Sequence, residues 1–165
     1  MLHIYCGNGK GKTTAAIGLC VRAAGAGMKV AFVQLMKGNP TSELASLKSV
    51  PNIEISRCNR DYGFFKSMTA ADKAEITACH NKLLNSAFSG EFDVIILDEF
   101  CAAYNHALLD RALAEKLILS ASAEVVLTGR DPAELFRNAA DYISEIHCEK
   151  HPYEKGIAAR RGIEF

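Results

Sequence analysis

Leu2-His3-Ile4-Tyr5-Cys6-Gly7-Asn8-Gly9-Lys10-Gly11-Lys12-Thr13-Thr14 is the stretch that decides the fold of this chain. A short apolar run leads into a glycine-rich loop, and a helical pattern opens behind it, which is the context a phosphate-binding loop requires. The chemistry explains the residue types. Glycines let successive backbone N–H groups turn inward toward an anion, the helix N-terminus adds positive potential, Lys12 supplies a cation and Thr13 a hydroxyl for magnesium. The strict pattern wants a glycine where Cys6 stands, so this loop starts at Gly7 and is one residue shorter. Gly7, Asn8, Gly9, Lys10, Gly11, Lys12, Thr13 and Thr14 are the candidate nucleotide contacts.

Outward from this loop, short apolar runs with β-branched residues alternate with helical patterns to the end of the chain, the signature of an α/β fold with a mostly parallel central sheet and flanking helices. The expected strands are Leu2 to Cys6, Lys29 to Leu35, Ile53 to Cys58, Asp93 to Leu97, Glu124 to Thr128 and Tyr142 to Cys148. Val30 to Val33 and Val94 to Leu97 are continuously apolar, as central strands covered on both faces should be. Helices are expected over Thr13 to Ala24, over Ala70 to Phe88 with Thr69 as N-cap, over Leu109 to Ser120, and from Asp131-Pro132 through Arg137 with Asp131 as N-cap. Two stretches, Lys37 to Pro51 and Lys150 to Phe165, read as loops around a site.

The run Val94-Ile95-Ile96-Leu97-Asp98-Glu99 supplies the second half of a nucleotide site, an apolar strand ending in two carboxylates at the carboxyl edge of the sheet. Asp98 and Glu99 are candidate magnesium groups, since hard Mg²⁺ prefers oxygen ligands and bridges phosphates. These two letters leave open whether Glu99 holds the metal or activates water, as in an ATPase.

With 165 residues the chain suits one domain spanning 1–165. Its 19 basic and 19 acidic residues balance, so no global field gathers nucleic acid or an anionic membrane surface. Met1 is followed almost at once by the first strand and no apolar run reaches bilayer length, which gives the expectation of a cytoplasmic protein. The six cysteines are scattered without a zinc spacing and read as free, mostly buried thiols.

Four segments in this order, GNGKGKTTAAIGLCVRAAGAGMKV, ILDE, LTGR and the tail KHPYEKGIAARRGIEF, resemble the P-loop corrinoid adenosyltransferases that act on cob(I)yrinic acid a,c-diamide and cob(I)alamin. The resemblance runs from the first strand to Phe165. It implies a RecA-like P-loop NTPase fold, a homodimer, a partner reductase, and transfer of the 5′-deoxyadenosyl group of ATP to a Co(I) corrinoid with release of triphosphate. By the same likeness Lys12 and the loop cradle the triphosphate, Thr13 and Glu99 ligate magnesium, and Asn8 reaches the sugar or a phosphate. Arg130, in Thr128-Gly129-Arg130, would meet a phosphate at the sheet edge.

The family is understood to ease reduction of Co(II) by covering one corrin face with apolar side chains. Asp61-Tyr62-Gly63-Phe64-Phe65 occupies the corresponding stretch, and both Phe64 and Phe65 are candidates for that role. Longer relatives carry an N-terminal extension, so the pocket here is expected to be more open or completed by a partner subunit. His151 reads as a surface or hydrogen-bonded residue rather than a cobalt ligand. Arg160 and Arg161 are candidates for anionic groups or for a solvated turn. The rival from another reaction class is a P-loop ATPase or kinase of unknown acceptor.

Overall fold

The computed structural model describes residues 1–39 and 41–164; Pro40 and Phe165, which belong to the two irregular stretches above, lie outside the described residues. In chain order the strands are β1 (Leu2–Cys6), β2 (Val30–Gln34), β3 (Ile53–Arg57), β4 (Val94–Asp98), β5 (Glu124–Thr128) and β6 (Tyr142–Glu145). The helices are α1 (Lys12–Gly25), α2 (Ser42–Leu47), α3 (Ala70–Ser89), α4 (Phe100–Asn105), α5 (Arg111–Leu119) and α6 (Glu134–Ala139). The sheet order is β3-β2-β4-β5-β1-β6, and every pairing is parallel. This is the arrangement of a P-loop NTPase-like fold, with loops converging at the carboxyl ends of β1, β2, β4 and β5.

Alternation along the strands builds two cores. Ile95 and Leu97 face the layer of α3, α4 and α5 together with Ile4, Val33 and Leu127, whereas Val94 and Ile96 face α1 together with Phe32 and Val126. Burial on both faces is what a parallel sheet demands of its strands. The α1 residues turned to the sheet, Ala16, Cys20, Ala23 and Ala24, are small, which seats the helix close to it. In α3 the buried residues Ile76, His80, Leu84 and Ala87 form one stripe. Its start is fixed by a reciprocal cap: Thr69 Oγ1 accepts the Asp72 N–H at 3.1 Å and Asp72 Oδ2 accepts the Thr69 N–H at 3.0 Å.

Four expectations from the sequence need correction. Part of the stretch read as a loop, Lys37 to Pro51, contains α2, which Leu47 pins into the core. The last helix does not open at Asp131: the Asp131 carbonyl is taken by Asn105 Nδ2 at 2.7 Å, and α6 starts after Ala133. Phe136 then inserts edge-on against Phe100 and Tyr104, with ring centroids 5.2 and 5.1 Å apart. The last strand ends at Glu145 rather than Cys148, because the next residues turn to serve the glycine loop. Finally, Cys58 and Cys79 are not free thiols; they form a disulfide between the end of β3 and α3. Cys6, Cys20 and Cys101 are free and buried as expected.

Candidate active site

Backbone geometry comes first at this site. Gly7 has φ +100°, and a Cβ there would lie 2.4 Å from the Ile146 carbonyl oxygen, so a side chain is excluded by conformation and by space. The Gly9 N–H donates to Ile146 O at 2.8 Å and the Cys148 N–H donates to Asn8 Oδ1 at 2.9 Å. The segment after β6 is therefore the floor of the loop, and the Asn8 carbonyl is engaged there rather than turned to the cleft. At the start of α1, Gly11 provides no side-chain cap and the first turn holds no acidic residue, so its N–H groups suit an external anion. Lys12 Nζ bonds back to Gly9 O at 2.7 Å, and Lys10 Nζ reaches across to Ile163 O at 2.8 Å, drawing the C-terminal tail over the site.

Asp98, fully buried at the end of β4, is the hub. Its Oδ1 accepts from Thr13 Oγ1 and from Thr128 Oγ1, each at 2.8 Å, and its Oδ2 accepts from Lys37 Nζ at 2.9 Å. Lys37 went unnoticed in the sequence, although a lysine just past the carboxyl end of a central strand was a usable signal. Burial pulls the Lys37 ammonium pKa down, yet the charge and hydrogen bond of Asp98, with Glu99 and Glu43, outweigh it and hold the group above its ordinary value. Glu99 follows in the left-handed region at φ +59°, its N–H donating to Thr128 Oγ1 at 2.9 Å. Burial, then the Asp98 charge, pushes the Glu99 carboxyl up, against the opposing pull of Lys37, Lys12 and Arg130.

A divalent cation can be tested against this donor set. Among the described residues no group of three or more His, Cys, Asp and Glu could cage a metal. What is present is one hydroxyl and two carboxylates, the sparse oxygen set that suits Mg²⁺, which keeps waters and shares phosphate oxygens. Gln34, paired with Asp98 across β2 and β4, gives its Nε2 to Glu43 Oε1 at 3.1 Å, which leaves its buried Oε1 without a partner. An orphaned buried carbonyl oxygen on the residue in register with Asp98 is a place for a water to donate. The residues fit the ion.

A cleft of about 520 Å³ opens above these groups between α1, α2 and the tail. Lys12, Thr13, Thr14, Lys37 and Glu99 line its polar end, and Ile17, Val21, Leu47 and Val50 its apolar wall. Arg130 sits exposed just past β5, its carbonyl accepting the Gly7 N–H at 3.4 Å. The two phenylalanines differ. Phe65 stacks on His106 with centroids 4.0 Å apart and lies under Lys73 Nζ at 4.4 Å, whereas Phe64 is 87% exposed. His151 is exposed, its Nδ1 accepting the Tyr153 N–H at 3.1 Å, and Arg160 pairs with Glu164 at 3.1 Å.

A family model described as ATP:corrinoid adenosyltransferase BtuR/CobO/CobP matches residues 1–165. The chain belongs to this family. It is accordingly an ATP:corrinoid adenosyltransferase, a transferase of adenosylcobalamin formation. A corrinoid adenosyltransferase of Pseudomonas aeruginosa is 35% identical over 170 residues, covering all of this chain and 83% of the relative. The corrinoid adenosyltransferase CobA of Salmonella typhimurium is 29% identical, and a corrinoid adenosyltransferase of Escherichia coli K12 is 28% identical. Each of these two is covered over 85% of its length. No helix among the described residues is long and apolar enough to cross a membrane.

Proposed function

We propose that the 5′-carbon of ATP is presented to a Co(I) corrinoid by anchoring the triphosphate in the loop from Gly7 to Thr14, and that triphosphate leaves intact. The observation that carries this reading is the uncapped start of α1, with Lys12 and Lys37 at the same end of one cleft. Co(I) is a strong nucleophile and needs no general base, so the protein's tasks are alignment and neutralisation of the departing charge. Lys12 leaves Gly9 O for phosphate oxygens; Lys37 and Arg130 add positive charge around the same tail. Thr13, Asp98 and Glu99 are the residues that would hold Mg²⁺. When bound, the ion neutralises phosphate oxygens and orders the leaving group. The adenosine end lies along Ile17, Val21 and Leu47.

Phe64 is the residue offered to the corrin ring. It is exposed and uncommitted to packing, unlike Phe65, and an apolar face beside cobalt disfavours the axial ligand that makes Co(II) hard to reduce. The same reading places the enzyme in the cytoplasm as a homodimer supplied with electrons by a reductase.

Anaerobic incubation with ATP, Mg²⁺ and chemically reduced cob(I)alamin tests it. The expected products are a light-sensitive alkylated corrinoid spectrum and inorganic triphosphate in equal amounts. Release of ADP or orthophosphate with no spectral change would transfer the assignment to phosphoryl chemistry.

A further inference from the structure

The loop that presents Phe64 meets the segment carrying Lys37 through a carboxylate and through a backbone contact. Asp61 spends its two oxygens on two different elements: Oδ2 accepts from Asn39 Nδ2 at 2.6 Å, and Oδ1 accepts the Gly63 N–H at 2.9 Å, shaping the turn immediately before Phe64. Asn39 belongs to the short segment after β2 that also carries Lys37. Two side chains anchor this segment. Arg57 Nη2, from β3, donates to Lys37 O at 3.0 Å and to Asn39 O at 2.7 Å, while Lys37 Nζ is anchored on Asp98 at 2.9 Å.

Between them Gly38 lies backbone to backbone on the aromatic loop. A Cβ at Gly38 would stand 2.2 Å from both Arg60 O and Asp61 Cα, so the two backbones are in direct contact and neither can move toward the other without displacing it. Met36, from the segment after β2, also packs with Tyr62 and Phe65 against Met68, Ile76 and Leu108, while the polar and covalent anchors of the loop point elsewhere. Arg60 pairs with Asp72 at 2.8 Å and with Glu75, both on α3, and the Cys58–Cys79 disulfide reaches the same helix.

We propose that Asp61 is a positioning residue, which with Gly38 and Asn39 sets the presentation of Phe64 according to what Lys37 holds in the nucleotide cleft. A triphosphate entering that cleft competes with Asp98 for the Lys37 ammonium. The peptide of Lys37 and Gly38 transmits the new position to Asp61 because their backbones are in contact. Nucleotide and corrinoid therefore bind with a positive coupling, which by thermodynamic linkage acts equally in both directions. This rests on the proposed assignment of the cleft to ATP and of Phe64 to the corrinoid.

Binding without chemistry tests it. Cob(II)alamin, with no reductant present, is titrated into the wild-type protein with and without Mg·ATP, and Mg·ATP is titrated alone. The wild type is expected to bind cob(II)alamin at least about fivefold tighter when Mg·ATP is present, the lower end of ordinary coupling strengths. Asp61→Ala should bind Mg·ATP as the wild type does, within about twofold, and lose that enhancement; Asp61→Asn, which keeps an oxygen for Gly63 N–H and can donate its NH2 to Asn39 Oδ1 once the Asn39 amide flips, should restore most of it. Gly38→Ala should lose it too, and Asn39→Ala, at an exposed position, serves if that variant does not fold. Undiminished enhancement in Asp61→Ala, or a wild type that binds both ligands independently, overturns the coupling. A wild type that binds neither ligand overturns the cleft assignment itself, and the coupling with it.

Discussion

Lys37 and Asp98 form an ion pair whose carboxylate is fully buried, and such pairs matter most when one partner is removed. Lys37→Met should cost about 3–5 kcal/mol in urea denaturation at neutral pH, because it leaves a buried charge uncompensated. Added Mg²⁺ should stabilise that variant more than the wild type, since the Asp98 oxygen vacated by the ammonium becomes available to the metal. Equal effects of Mg²⁺ on both proteins would remove Asp98 from the metal site. Glu99 gives a second prediction at this scale. Its carboxyl holds a proton more tightly than the ordinary value of 4.5 in the folded chain. The sign is then fixed: the neutral form favours folding below the ordinary pKa, and that advantage is lost as pH rises through the raised one. Glu99→Gln should be more stable than the wild type at pH 7 in metal-free buffer. Mg²⁺-dependent ATP binding by the wild type should weaken as pH falls through the raised pKa of Glu99, sooner than an ordinary carboxyl would cause, and calorimetric titration over acidic pH would show it.

Among the elements, the loop between β3 and α3 contains two adjacent aromatics in different surroundings. Phe65 is packed on His106 and under Lys73, so Phe65→Ala should destabilise the fold by about 1–3 kcal/mol in denaturant melts. Phe64→Ala should leave stability within about 0.5 kcal/mol of wild type, as exposed substitutions do, yet slow turnover from Co(II) far more than from prepared Co(I). Equal slowing from both cobalt states would exclude Phe64 from the reduction step. The sequence alone could not separate the two, since adjacency says nothing of which ring is packed. It did reveal the strands and the long helices, where continuous apolar runs and the Thr69 cap are strong local signals. It concealed α2, whose six residues carry two leucines among serines, and α4, which follows β4 through Glu99 with no glycine or proline to punctuate the change. In the site the glycine loop and the Asp98-Glu99 pair were legible as local motifs. Lys37 and the pairing through Asp61 were not, because they depend on where β2 lies in the sheet.

For the molecule as a whole, the unanticipated covalent link is the Cys58–Cys79 disulfide. Scattered cysteines cannot be paired from sequence, and free thiols are the ordinary state in a reducing compartment. With a separation of 21 residues, the cross-link restricts the unfolded chain by an amount that the loop-entropy relation puts at about 3 kcal/mol. The closed loop includes the whole segment that carries Asp61 and Phe64, so its loss acts on global stability and on the freedom of that segment together. Urea melts with and without dithiothreitol should therefore differ, the reduced protein unfolding at lower denaturant, while a Cys58→Ser, Cys79→Ser double variant should respond to neither condition. Thiol titration of the untreated, denatured protein decides whether the link exists to be broken: four reactive thiols are expected of the six cysteines in the chain, two being held in the bond. Six reactive thiols, with melts indifferent to reductant, would return both cysteines to the free state read from the sequence and leave Arg60, through Asp72 and Glu75, and Phe65, under Lys73, as ties between this loop and α3.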